Sequence, residues 1–85
     1  MAGEQKRKAR EALLTKALLL GYTFERSEWK DAYGRAIYSG YVIKNPNGAI
    51  SRVANGYHYQ TFPSKWLAAK HVLVTLGVGD AKNVR

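Results

Sequence analysis

Apolar residues recur at helical spacing near the start of the chain, alternate with polar residues through its middle, and return to helical spacing near its end. The first pattern predicts a helix over residues 4–20, with Gly21 as the residue past its end. Ala9, Ala12, Leu13, Ala17 and Leu20 fall on one side of that helix. Leu14 and Leu18 fall nearly opposite and need a cover of their own. Either the end of the chain or a second subunit could supply it, and a homodimer through Leu14 and Leu18 is the latter arrangement.

Residues 22–62 read as strands. In YTFERSEW, Tyr22 and Phe24 alternate with Thr23 and Glu25, as in a half-buried strand. KDAYG is a connection, and RAIYSGYVIK is a second strand rich in β-branched and aromatic residues. It stops at Asn45-Pro46-Asn47-Gly48, a strong turn sequence, and AISRVA resumes the extended pattern. Asn55-Gly56 then admits two readings. As a hairpin turn it sets Val53 opposite His58 and Arg52 opposite Tyr59, which makes a fourth strand. As a glycine bulge it leaves one bent third strand. Three principal strands are expected, the last either bent or folded into a small hairpin.

The second helix is predicted to begin near Pro63-Ser64, with proline suited to a first turn and Ser64 able to cap. Trp66, Ala69, Val72, Leu73 and Leu76 form its apolar side, and Lys70, His71 and Thr75 face away. Gly77 ends it. GVGDAKNVR holds two glycines and little apolar content, so residues 78–85 are expected to be a flexible tail to a domain spanning 1–77. The fold class is α+β in the order α-β-β-β-α, a three-stranded antiparallel sheet with helices packed on one face.

Eighty-five residues allow one core, and the absence of cysteine excludes disulfides and thiolate sites. No apolar run reaches the roughly 18 residues of a membrane span, and the expected location is cytoplasmic. Charge changes the picture most. Fourteen Lys and Arg stand against six acids, a formal +8, and such an excess favours polyanions. Lys6, Arg7, Lys8 and Arg10 crowd the first turns of the first helix, where its dipole disfavours positive charge. They spread round the helix, which suits phosphate contacts better than base reading. Arg26, Lys30, Arg35, Lys44 and Arg52 lie on or beside strands, and Lys65 opens the second helix.

Catalytic signals are thin. Glu25, Glu28 and Asp31 sit among basic residues, as on a salt-bridged surface, and none of the acids forms a convincing general acid/base pair. His58 and His71 lack acids at metal-ligand spacing, and there is no phosphate-loop glycine pattern. No enzyme activity, metal or cofactor is expected. Six tyrosines are many for this length. On an open sheet face they could stack on bases, but a strand tyrosine more often packs its ring in a core. Tyr57, Tyr59 and Phe62 are assigned to the helix side, with a register shift before Phe62, and His58 and Gln60 to the outer side.

NPNG followed by YQTFPSKWLAAKHV resembles the DNA-binding domain of plant ethylene-response factors and related phage integrase amino-terminal domains. Those domains end with a strand, then Thr-Phe, a short polar pair and a helix containing Ala-Ala, matched by Thr61, Phe62, Pro63, Ser64, Ala68 and Ala69. The resemblance covers about 35 residues and omits the first helix. It implies a three-stranded sheet laid in the major groove. Lys44 matches an exposed arginine of that family and His58 an exposed tryptophan, whereas Val42 replaces an acid and Gly56 an arginine. The element order and Gly21-Tyr22 also resemble the double-stranded-RNA-binding-domain fold, including the HicA family of RNA-cleaving toxins. The HicA histidine lies in a Gly-Ser-His run; here Ser39-Gly40-Tyr41 has none, which implies a catalytically silent copy.

The expected function is therefore non-catalytic binding of nucleic acid, duplex DNA ahead of RNA, by a phage-encoded or regulatory protein. Lys6, Arg7, Lys8 and Arg10 are the expected phosphate contacts, and Lys65 is a further expected nucleic-acid-binding residue. Arg35, Tyr38, Lys44, Arg52, His58 and Gln60 form the expected sheet surface. The alternative is a protein-binding module, such as a small inhibitor of an acidic host protein.

Overall fold

The computed structural model describes residues 2–52 and 59–85, with the backbone alone at positions 2 and 36–38. Asn55-Gly56, Tyr57 and His58 lie outside the described residues, as does the side chain of Tyr38. The order is helix α1 (Ala2–Leu19), strands β1 (Thr23–Lys30), β2 (Ala36–Lys44) and β3 (Thr61–Phe62), then helix α2 (Lys65–Thr75). A 3₁₀ helix, Gly79–Asn83, follows. The sheet is antiparallel in the order β1-β2-β3, so the protein is α+β with the helix-strand-strand-strand-helix order read from the sequence.

Local signals act where they were expected. Gly21 follows α1 at φ 98°, a conformation that costs glycine little, with the Pro46 ring 3.2 Å from where a Cβ would sit. The Asn45–Gly48 turn closes with Gly48 N–H donating to the Asn45 carbonyl at 2.9 Å, and Asn45 N–H donating to the Ala49 carbonyl at 2.8 Å.

Pairing fixes the faces of the sheet. Phe24 opposes Ile43 and both are buried in the helix-side core, so Arg26 and its partner Tyr41 belong to that same face. Glu25 with Val42, and Thr23 with Lys44, belong to the outer face. The core joins Leu13 and Ala17 of α1 to Ala68, Ala69, Val72 and Leu73 of α2, closed beneath by Phe24 and Ile43. Helix α1 packs on α2, and α2 packs on β2 and β3. Only Phe24 of β1 is buried.

Three expectations are corrected. The buried stripe of α1 is Leu13 and Ala17 with Leu14 packed beside them, whereas Ala12 and Leu20 are exposed. Two adjacent leucines can each head a helical stripe, and packing on α2 selects between them. Residues 78–85 are not an unpacked tail: Ala81 is buried, and Val78 and Val84 pack on the core. Their spacing of three puts them on one side of a single tight turn. Lastly, residues 49–52, the described part of AISRVA, contribute isolated bridges rather than a strand, Ile50 pairing with Lys44. Ser51 N–H donates to the Ile43 carbonyl, and Gln60 N–H donates to the Ser51 carbonyl. Arg52 bridges Tyr59, the register of the hairpin reading, and Thr61–Phe62 takes the remaining places beside β2.

Candidate nucleic-acid interface

The four cations of the first helix part company on folding. Residues 3, 7, 10, 11 and 14 share one stripe of α1, because neighbours on a helix face are three and four apart. That stripe faces the start of α2 across a groove of about 510 Å³. Arg7, Arg10, Glu11 and Leu14 line it from α1, with Ser64, Lys65 and Trp66 from the other side and Tyr41 from β2. Lys6 instead lines a second hollow beside Asp80 and Asn83. Lys8 points to solvent and pairs with Glu4 at 3.6 Å, one helical turn away.

The groove is both cationic and aromatic. The Arg10 guanidinium lies 4.2 Å from the centre of the Trp66 ring, a cation–π distance, and its Nε donates to the Arg85 carbonyl at 2.9 Å. The Lys65 ammonium lies 5.8 Å from the centre of the Tyr41 ring. Ser64 is the N-cap of α2, but its side chain makes no capping bond, and its buried hydroxyl oxygen has no hydrogen-bond partner among the described residues. No acid occupies the first turn of α2, so the positive end of its dipole adds to Lys65. Glu11 is the one acid among the lining residues.

The residues expected on the sheet surface are less free. Lys44 pairs with Glu25 at 4.0 Å across the outer face. Arg35 sits at the hairpin tip, tied to Asp31 at 3.3 Å, with its guanidinium 5.6 Å from the centre of the exposed Tyr33 ring. Arg52 is exposed and lies 5.3 Å from the centre of the Tyr59 ring. Tyr59 is half-buried but is not among the residues packed on the core. Its bridge to Arg52 explains the departure from the helix-side assignment, since directly paired residues share a face. Gln60 is half-buried rather than presented, with its N–H engaged by Ser51.

Comparison with family models, curated proteins and solved structures finds no match to this chain. The site is therefore argued from its own chemistry.

What the sequence did not assign are the groove walls. Tyr41 reads as one strand tyrosine among several, and Trp66 reads as part of the apolar side of α2. The adjacent pair Lys65-Trp66, a cation beside a ring at a helix start, is the local signal that could have marked them. Among the described residues no cluster of metal-ligating side chains occurs, and no helix is long and apolar enough to cross a membrane.

Proposed function

We propose that this protein binds nucleic acid without catalysis, duplex DNA ahead of RNA, and that the groove between α1 and α2 is the centre of the interface. The observation that carries this reading is the convergence of Arg7, Arg10 and Lys65 on one groove beside the open end of α2. Of the ion pairs found among the described residues, none involves these cations, and the chain carries a formal +8. Burial of a polyanion's phosphates there neutralises charges that have no acidic side-chain partner among the described residues, and it releases counterions. The preference for duplex DNA rests on the resemblance of the 45–72 stretch to sheet-and-helix DNA-binding domains.

A salt series on a random-sequence duplex tests this. With at least three phosphates neutralised, log affinity should fall with log salt at a slope near −2.7, about 0.9 per phosphate. Tight binding that barely responds to salt would exclude the phosphate-contact reading. RNA offered to the pure protein should stay intact, for wild type and for His58→Ala and His71→Ala alike. Metal-free cleavage lost in His58→Ala would replace binding with a toxin-like activity.

A second reading, a protein-binding module, draws support from exposed leucines at the end of α1, where Leu19 is 82% exposed, and from exposed Val74 and Leu76 at the end of α2. Exposed apolar residues in number favour a protein contact. Failure to bind any duplex or single strand at low salt, together with capture of an acidic protein, would favour it.

A further inference from the structure

A duplex backbone needs only cations, yet this groove also presents aromatic rings. Tyr41 stands on the helix-bearing face of the sheet, two residues before the buried Ile43, and helps to line the groove. Trp66 lines it from the first turn of α2 and is only half-buried, with the Arg10 guanidinium against its ring. The volume of about 510 Å³ falls in the range of roughly 300–1,000 Å³ that ligand pockets occupy. Unpaired bases are held by rings and guanidinium planes, and phosphates by cations and unbonded donors. This groove has both sets on facing walls.

We propose that the groove between α1 and α2 holds a single unpaired nucleotide, with its base against Tyr41, Trp66 and the Arg10 plane and its phosphate between Arg7, Lys65 and the start of α2. The proposal rests on the nucleic-acid reading and narrows it: the preferred duplex carries a single-stranded overhang. Glu11 stands among the lining residues and disfavours a second phosphate there, which limits the site to one nucleotide rather than a run of them.

The test uses the full chain and two DNA duplexes, identical except that one is blunt and the other carries a short overhang. Stacking of one base should make the overhang duplex bind about tenfold more tightly, the usual order for base–aromatic stacking. In a Trp29→Phe chain, whose remaining tryptophan is Trp66, the overhang should quench the emission and the blunt duplex should not. Arg7→Glu with Lys65→Glu, both at exposed positions, should bring the ratio of the two affinities close to one. Equal affinities for wild type, with salt-dependent blunt binding intact, would overturn the nucleotide site and leave the nucleic-acid reading standing. Absence of binding to both duplexes at low salt would overturn both. A poly-glutamate peptide that displaces the overhang duplex and quenches Trp66 equally well would also overturn the proposal and assign the groove to an acidic protein.

Discussion

Replacing Gly40 with alanine should destabilise the protein by about 3 kcal/mol, the scale of a strained backbone combined with an overpacked buried position. Gly40 is buried in β2 at φ 153°, and an added Cβ would come within 2.7 Å of the Phe62 carbonyl oxygen. That neighbour is backbone, so no rotamer change can relieve the clash. β3 pairs with β2 through Tyr41–Phe62 and Val42–Thr61, and a two-residue strand has little pairing to spare. Pushing Phe62 away would also move Pro63 and Ser64, and with them the wall of the groove. Urea unfolding of Gly40→Ala checks the prediction. An unfolding free energy within about 0.5 kcal/mol of wild type would mean that β3 does not approach β2 this closely.

The features legible in the sequence were those decided by neighbours. The first helix and its Gly21 stop, the Asn45–Gly48 turn and the start of α2 at Ser64 each depend on residues within a few positions of one another, and each formed where predicted. The third strand depends on a competition. Residues 49–52 could continue along β2 or turn back on residues 59–60, and the two outcomes have similar local propensities. The bonds from Ser51 to Ile43 and from Gln60 to Ser51 mark where the chain left the ladder. The groove was illegible for a related reason. The sequence lists cations on both helices, but which of them face each other follows from how α1 packs on α2. With Leu13 and Leu14 adjacent, that packing was ambiguous by about a quarter of a turn. Only the folded chain brings Arg7, Arg10 and Lys65 together, and only it separates Lys6 and Lys8 from them.

The groove and the outer sheet face make different demands on two residues, and that difference decides between them. Leu73 is fully buried at the centre of the core, between α1 and the sheet. Leu73→Ala should cost about 3–4 kcal/mol, within the range for emptying a well-packed leucine site. Tyr59 is half-buried, outside the core cluster, and its ring meets the Arg52 guanidinium at 5.3 Å. Tyr59→Ala should therefore cost only about 1 kcal/mol, the scale of an exposed cation–π contact with some lost burial. Lys44→Ala should change stability by less than about 0.5 kcal/mol, because its ion pair with Glu25 is solvent-exposed. If the groove carries the ligand, both surface variants should keep duplex affinity within roughly threefold of wild type, since each removes at most a peripheral phosphate contact. Thermal melts and matched titrations on the three variants check this. A Tyr59→Ala protein that melts near wild type yet binds duplex more than tenfold weaker would move the interface from the groove to the outer face of the sheet, with Tyr59 and Arg52 at its centre.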